Sequence, residues 1–425
     1  MTNEMDGTSD VDGTDEPNEA DGRVATDGAD GPLRGLTVVE AGSMISGPTV
    51  GRLLADFGAT VIKVEHPEFG DHIRNFGPQR GETGLWHKYL SRNKRSVTLD
   101  LSAERGQTVF RDLVSEADVL IENFRPGTFE RWNLGYGRLR EVAPGLVMLR
   151  MSGFGQDGPY AEKPGFGTLA EAMSGFAYLN GFPDREPLLP PTGLADSIAA
   201  LYATFSVMFA LYDREVNGGS GQCIDVSLIE PIFNVLGPQP LRYQQLGEVE
   251  ARSGNRSTSS APRNVYRTKD DRWVAISASA QPLAMRTFDA IGRPDLKDDP
   301  RFSTNERRLE NVEELDAIIQ EWMDEHTRKE VLAAFDAADA TLAPVYNVED
   351  ILHDEHYRAR EATVTVDDPD LGEAVVQSVV PKFSETPGRV RHLGADLGEH
   401  NDAVYGDLLG YDEELRAELG EEGVV

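Results

Sequence analysis

With 425 residues, 39% of them hydrophobic, the chain is long enough for two domains, and no run of about 18 apolar residues marks a membrane span. Its 73 acidic side chains against 41 basic ones leave a net charge of −32 spread along the sequence, which argues against nucleic acid or an anionic membrane as partner, since both require basic stripes. The single cysteine, Cys223, excludes a disulfide framework and a thiolate metal cluster.

Only 8 of the 41 basic residues are Lys, so the surface has exchanged ammonium groups for carboxylates. Dispersed acidity of this kind suits a halophilic cytoplasm, where a Debye length of about 3 Å quenches like-charge repulsion. An acidic face for a basic partner would cluster the charge instead. Residues 1–32 read as a disordered acidic tail with no positive segment ahead of an apolar core, so a cytoplasmic protein without a secretory signal is expected.

Beyond the tail, LTVVE (Leu36 to Glu40) predicts a strand, GPTVGRLLADFGA a helix, TVIKVE (Thr60 to Glu65) a second strand and VTLDL (Val97 to Leu101) a third. AERGQTVFRDLVSEA predicts a helix; VLIENF (Val119 to Phe124) and LVMLRMSGF from Leu146 predict further strands. Short apolar strands alternating with helices imply an α/β domain around a mostly parallel sheet. From Pro191 to Arg214 runs PTGLADSIAALYATFSVMFALYDR, an apolar helix headed by one carboxylate, Asp196. IDVSLIEPIFNVL restarts a pattern at Ile224, NVYRTKDDRWVAISA predicts two short strands around a turn at Lys269 to Arg272, and YDEELRAELG predicts an exposed terminal helix.

VVEAGSMISGP after the first strand lacks GxGxxG, which removes the best support for a nicotinamide enzyme. His353 and His356 lie three apart and would share the face of a solvated helix; no metal site is expected. GFGQDGPY and NGGSGQ read as turns. Asp196 has two compatible readings. Asp is a good helix N-cap, worth about 1 kcal/mol, and a helix N-terminus holds a carboxylate ionised and able to act as a nucleophile.

Seven stretches, taken in order, resemble the class III coenzyme A transferases, which include formyl-CoA and carnitine-CoA transferases and the related α-methylacyl-CoA racemases. They are SMISGPTVGRLLADFGATVIKVE, SRNKRSVTLDL, ADVLIENFRPGTFERWNLGY, MSGFGQDGPYAEKPGF, LADSIAALYATFSVMFALYDR, GSGQCIDVSLIEP and TLAPVYNVEDI. The resemblance runs from about Leu33 to the C-terminus. It implies an α/β fold with a large Rossmann-like domain built from both chain ends, over 33–225 and again over 341–425, a smaller α+β domain inserted over 226–340, and an interlocked homodimer. It also implies Asp196 as the nucleophile that accepts CoA, Arg131 at the nucleotide's phosphates, Asn123 and Phe124 beside the adenine end, and Leu99 and Asp100 as a further wall. No cofactor beyond the CoA thioester substrates is implied.

The sequence departs from the family where an acidic residue often stands and here is Gly167, at Ile45 in the first loop, and at His66 after the second strand. Phe166 stands where racemases need a His to exchange a proton, so a racemase is the weaker alternative. A catalytically silent acyl-CoA binding protein is the other. PGFGTLAEAMSGFAYLNG with LPPTGLADSIAALYA resembles members that use succinyl-CoA and small dicarboxylic acids. With the halophilic composition, this is similar to haloarchaeal succinyl-CoA:mesaconate transferases. On that reading Gly165, Phe166, Gly167 and Ile45 line the acid's pocket, and its free carboxylate is met by Arg74 or by backbone N–H groups around Gly165 and Gly167.

Overall fold

Parallel strands are covered by helices on both faces and are therefore buried along their length, as VMLRMS at Val147–Ser152 is at every position, its Arg150 included. The computed structural model describes residues 30–425, so most of the expected tail lies outside the described residues. Six parallel strands form its central sheet: β1 (Thr37–Glu40), β2 (Thr60–Glu65), β3 (Lys94–Thr98), β4 (Val119–Glu122), β5 (Val147–Ser152) and β6 (Cys223–Ser227). Their spatial order is β3-β2-β1-β4-β5-β6. The order reverses between β1 and β4, the usual place for a ligand crevice in an open α/β sheet.

Four helices matter for the site: α1 (Ser46–Asp56), α2 (Glu104–Ser115), α3 (Gly167–Met173) and α4 (Leu194–Val216). Successive strand residues point to opposite faces. Val38 therefore joins Leu54, Leu149, Ala203 and Val207 under α1 and α4, while Val39 joins Phe110, Leu113 and Leu120 under α2. The C-terminal stretch adds Val404 and Leu419 to this second core, so the terminal helix Glu413–Glu421 is anchored rather than wholly exposed. Tyr405 Oη donates to the Thr98 carbonyl at 2.6 Å.

Three expectations need correction. The third strand begins at Lys94, three residues early, because the Lys94 ammonium is satisfied inside the fold by Glu40 Oε2 at 2.6 Å and the Pro48 carbonyl at 2.7 Å; Leu99 to Leu101 leave the sheet. Helix α4 is 23 residues long with a mean hydropathy of 1.6 over its best window, enough by length and composition to cross a bilayer. Its small-residue face, including Ala195, Ala199 and Ala203, is buried against α1 and the sheet, as in a core helix. His353 and His356 sit on successive short helices, Val348–His353 and Glu355–Ala359, not on one.

The smaller unit contains an antiparallel sheet of β7 (Arg263–Arg267), β8 (Trp273–Ser277) and β9 (Leu342–Pro344), with Tyr266, Val274, Phe288, Ile319 and Phe335 in its core. The expected boundaries shift accordingly. A cut at 225 would split β6, Ile232 packs into the core of the large sheet, and β9 completes the small sheet beyond residue 340.

Candidate active site

Asp196 is the third residue of α4, whose N-cap is Gly193, so it is not the cap that its sequence position suggested. The capping acceptor comes from another helix. Glu171 of α3 is buried, and its Oε1 accepts the backbone N–H groups of Leu194 at 3.0 Å and Ala195 at 3.2 Å. The Asp196 carboxyl is half-buried and pushed up to about 6, first by loss of solvent and then by the negative charge of Glu171; its own backbone N–H offsets this in part. The expectation that the helix end would favour its ionised form is therefore reversed. The group is still mostly ionised at neutral pH and more basic than an ordinary aspartate, whose value is about 3.9.

The walls around Asp196 are glycine. A Cβ at Gly167 would lie 2.0 Å from Asp196 Oδ2, and one at Gly193 would lie 3.3 Å from both Asp196 Oδ2 and Ile45 Cδ1. Gly167 and Ile45 are thus both brought to the carboxylate, and the acidic side chain common in the family at position 167 has no room beside this one. Phe166, the N-cap of α3, is 68% exposed next to them, and Gly165 packs on Gly153. Gly167→Ala is expected to fold, because the atom it strikes is the end of a side chain that rotates away. Since about 1 Å of misplacement can reduce a rate about 100-fold, steady-state kinetics should show a drop in kcat of that order with little change in melting temperature.

The second feature is a cavity of about 380 Å³ at the switch point. Leu99, Asp100, Phe124, Trp132, Gly42 and Ser43 are among its walls. Asn123 is not: its side chain accepts from Ser43 N at 2.8 Å and donates to the Ser43 carbonyl and Ser46 Oγ, so it holds the loop after β1 rather than a ligand. Arg131 is exposed one residue from Trp132, donates to Thr128 Oγ1 at 2.9 Å, and has no carboxylate partner among the described residues.

Arg74 is also displaced from its expected role. Its guanidinium forks onto both oxygens of buried Glu65 at 2.7 Å and reaches the Ala395 carbonyl, so most of its donors are already taken.

The loop after β1 joins the two features. Gly42 and Ser43 line the cavity, and Ile45 lies in the niche of Asp196. Between them Met44 adopts φ 63°, a conformation disfavoured for such a side chain. Its N–H donates to Asp71 Oδ1 at 3.0 Å, while Asp71 Oδ2 accepts from Lys63 Nζ at 2.8 Å. An elongated ligand with one end in the cavity can follow this loop to the carboxylate. Sequence reasoning missed Glu171, Asp71 and Lys63. The four-residue spacing of Gly167 and Glu171, which puts both on one helix face, was the available signal for Glu171.

A carboxylate whose basicity is raised in this way suits nucleophilic attack, and Phe166 beside it cannot carry a proton.

Comparisons with known proteins agree with this chemistry. The family described as CoA-transferase family III matches residues 33–401. The succinyl-CoA–D-citramalate CoA-transferase of Chloroflexus aurantiacus is 42% identical over 396 residues, 93% of this chain and 98% of that protein. The β subunit of the succinyl-CoA–L-malate CoA-transferase of the same organism is 41% identical over 93% of this chain and 98% of its own length. Among solved structures, a CAIB/BAIF family protein from Brucella suis superposes with a TM-score of 0.80 at 32% identity, covering 89% of this chain and 100% of that one.

Proposed function

Because the chain belongs to CoA-transferase family III and is a class III CoA transferase, we propose that it moves CoA from succinyl-CoA to a small dicarboxylic acid of the mesaconate kind through a covalent intermediate on Asp196. The observation that carries this reading is the basic, glycine-walled Asp196 carboxylate at the end of the loop from the cavity. The donor and the size of the acid rest on the names of the citramalate and malate transferases.

Atoms balance without any added reagent. An Asp196 oxygen attacks the thioester carbonyl, the C–S bond breaks, and CoA leaves as thiolate from a mixed anhydride. The thiolate then attacks the aspartyl carbonyl, succinate departs, and an aspartyl-CoA thioester remains. The acceptor carboxylate attacks that thioester, and the two steps run in reverse onto the new acid. Each step exchanges one activated acyl group for another.

In this reading the cavity and Arg131 hold the nucleotide end of CoA. With Arg74 engaged, the acid's second carboxylate falls to the backbone N–H groups around Gly165 and Gly167. The outer face of α4 exposes Leu201, Phe205, Phe209 and Tyr212 at spacings of three or four, an apolar stripe suited to burial in the interlocked homodimer.

The test is mass spectrometry of acyl-CoA products from succinyl-CoA with mesaconate, citramalate, malate and crotonate. Dicarboxylates are expected to be preferred, and equal rates with crotonate and mesaconate would overturn the acid assignment. Rates at about 3 M KCl should exceed those at about 0.1 M if the net charge of −32 is halophilic adaptation.

A further inference from the structure

The amino end of a helix offers a few unpaired N–H groups and a partial positive charge, and an anion in reach lowers its free energy by taking them. At the head of α4 two carboxylates compete for that place, and only one has it. Glu171, 2% exposed, accepts from Leu194 N and Ala195 N through a single oxygen. Asp196, in the first turn itself, accepts only from its own backbone N–H and takes neither of those two.

We infer that Glu171 is a positioning residue for Asp196: by occupying the amino end of α4 it denies Asp196 those N–H groups and holds a like charge beside it, so that the Asp196 carboxylate stays poorly stabilised and strongly nucleophilic. This rests on the reading of Asp196 as the nucleophile. A carboxylate that accepts two or three backbone N–H bonds is a stabilised and weakly basic anion. Exchanging the roles of the two acids would give Asp196 that character.

The other charged or titratable groups on elements packed against α4 are engaged elsewhere or face away. On α1, Arg52 and Asp56 pair with each other, and Asp56 also holds Arg92. Arg150 of β5 is bound by Glu122 and Glu130. Asp225 of β6 accepts from Gln156 N, and Cys223 of that strand is exposed. Glu230, on the helix Ile229–Asn234, bonds Ser227 Oγ. Glu171 is the one charged group among the causes that raise the Asp196 carboxyl.

The inference is tested on the half-reaction. Wild type and Glu171→Gln are mixed with succinyl-CoA across a pH series, quenched into hydroxylamine at one fixed pH, and the Asp196 hydroxamate is quantified in the tryptic peptide. Gln keeps an oxygen for both N–H groups but removes the charge. The midpoint of the rising limb, near pH 6 in wild type, should move down by about one pH unit, with a several-fold lower plateau. Glu171→Asp retains a charge on a shorter arm and should keep a midpoint near that of wild type even where its melting temperature falls.

An unshifted midpoint in Glu171→Gln with Asp196 still labelled overturns the inference and leaves the nucleophile intact. The same holds if Glu171→Asp shifts as far as Glu171→Gln, since shape and not charge would then be responsible. Labelling of another carboxylate in wild type would instead remove the nucleophile, and the inference with it.

Discussion

Asp196→Asn is expected to lower CoA transfer by at least about 1,000-fold while making the protein more stable at neutral pH. The rate follows from chemistry, because an amide oxygen is too weak a nucleophile to open a thioester, and losing a nucleophile removes most of an enzyme's acceleration. The stability follows from the raised carboxyl. Folding lifts it from 3.8 to about 6, by loss of solvent first and Glu171 second, so the ionised group is held at a disadvantage in the folded chain. A carboxyl raised on folding destabilises above its folded value and ceases to do so as pH falls toward its unfolded value. The Asn variant should therefore gain about 1 to 2 kcal/mol at pH 7, and that gain should fade between about pH 6 and pH 4. No cap is lost, since Glu171 and not Asp196 holds the amino end of α4. Thermal melts across this range together with initial rates check both halves. An active Asn variant would remove Asp196 from the chemistry, and a destabilised one would show that the side chain has a structural task after all.

The sequence made some of this legible and hid the rest for identifiable reasons. Runs such as TVV and VML mark β1 and β5 because strands covered on both faces bury most of their length. Pattern alone gives no neighbour for a strand, so the reversal of order at β1 and β4, which places the cavity, comes only from the structure. Asp196, Gly167 and Phe166 were found through motifs, and they do lie together. The partners of Arg74 and Asn123 are not legible because a side chain's partner is a tertiary matter: Glu65 claims Arg74, and Ser43 claims Asn123. Glu171 is hidden more thoroughly. In TLAEAM a glutamate reads as solvated surface, and only its burial at the head of α4 reveals its task.

The charges inside the sheet carry the other large effect. Glu40, fully buried at the end of β1, accepts from Lys63 Nζ at 3.0 Å through one oxygen and from Lys94 Nζ at 2.6 Å through the other. The space is tight: a Cβ on Gly51 of α1 would lie 1.8 Å from Glu40 Oε2, so the isosteric Glu40→Gln is the informative change. It leaves Lys94 without its carboxylate partner and Lys63 with Asp71 as its remaining one. Breaking a buried pair in this way typically costs about 3 to 5 kcal/mol, because an uncompensated charge stays behind. The effect should reach the site, since Lys63 also donates to the Gly42 carbonyl and to the Asp71 that holds Met44 N. Loosening of that loop should raise KM for the CoA thioester in whatever fraction stays folded.

The pH dependence identifies the cause. Burial, reinforced by Lys63 and Arg52, already lowers Lys94 to about 8 despite Glu40. Between about 8 and its unfolded value the folded chain thus binds fewer protons than the unfolded one, and wild-type stability rises with pH through that window. Without the Glu40 charge Lys94 falls further and sheds its proton sooner, so part of the deficit of Glu40→Gln at pH 7 should be recovered by about pH 9. Urea unfolding at the two pH values measures this. A variant within about 1 kcal/mol of wild type at pH 7 would mean that the cluster contributes little, as buried ion pairs sometimes do when the fold can relax around them.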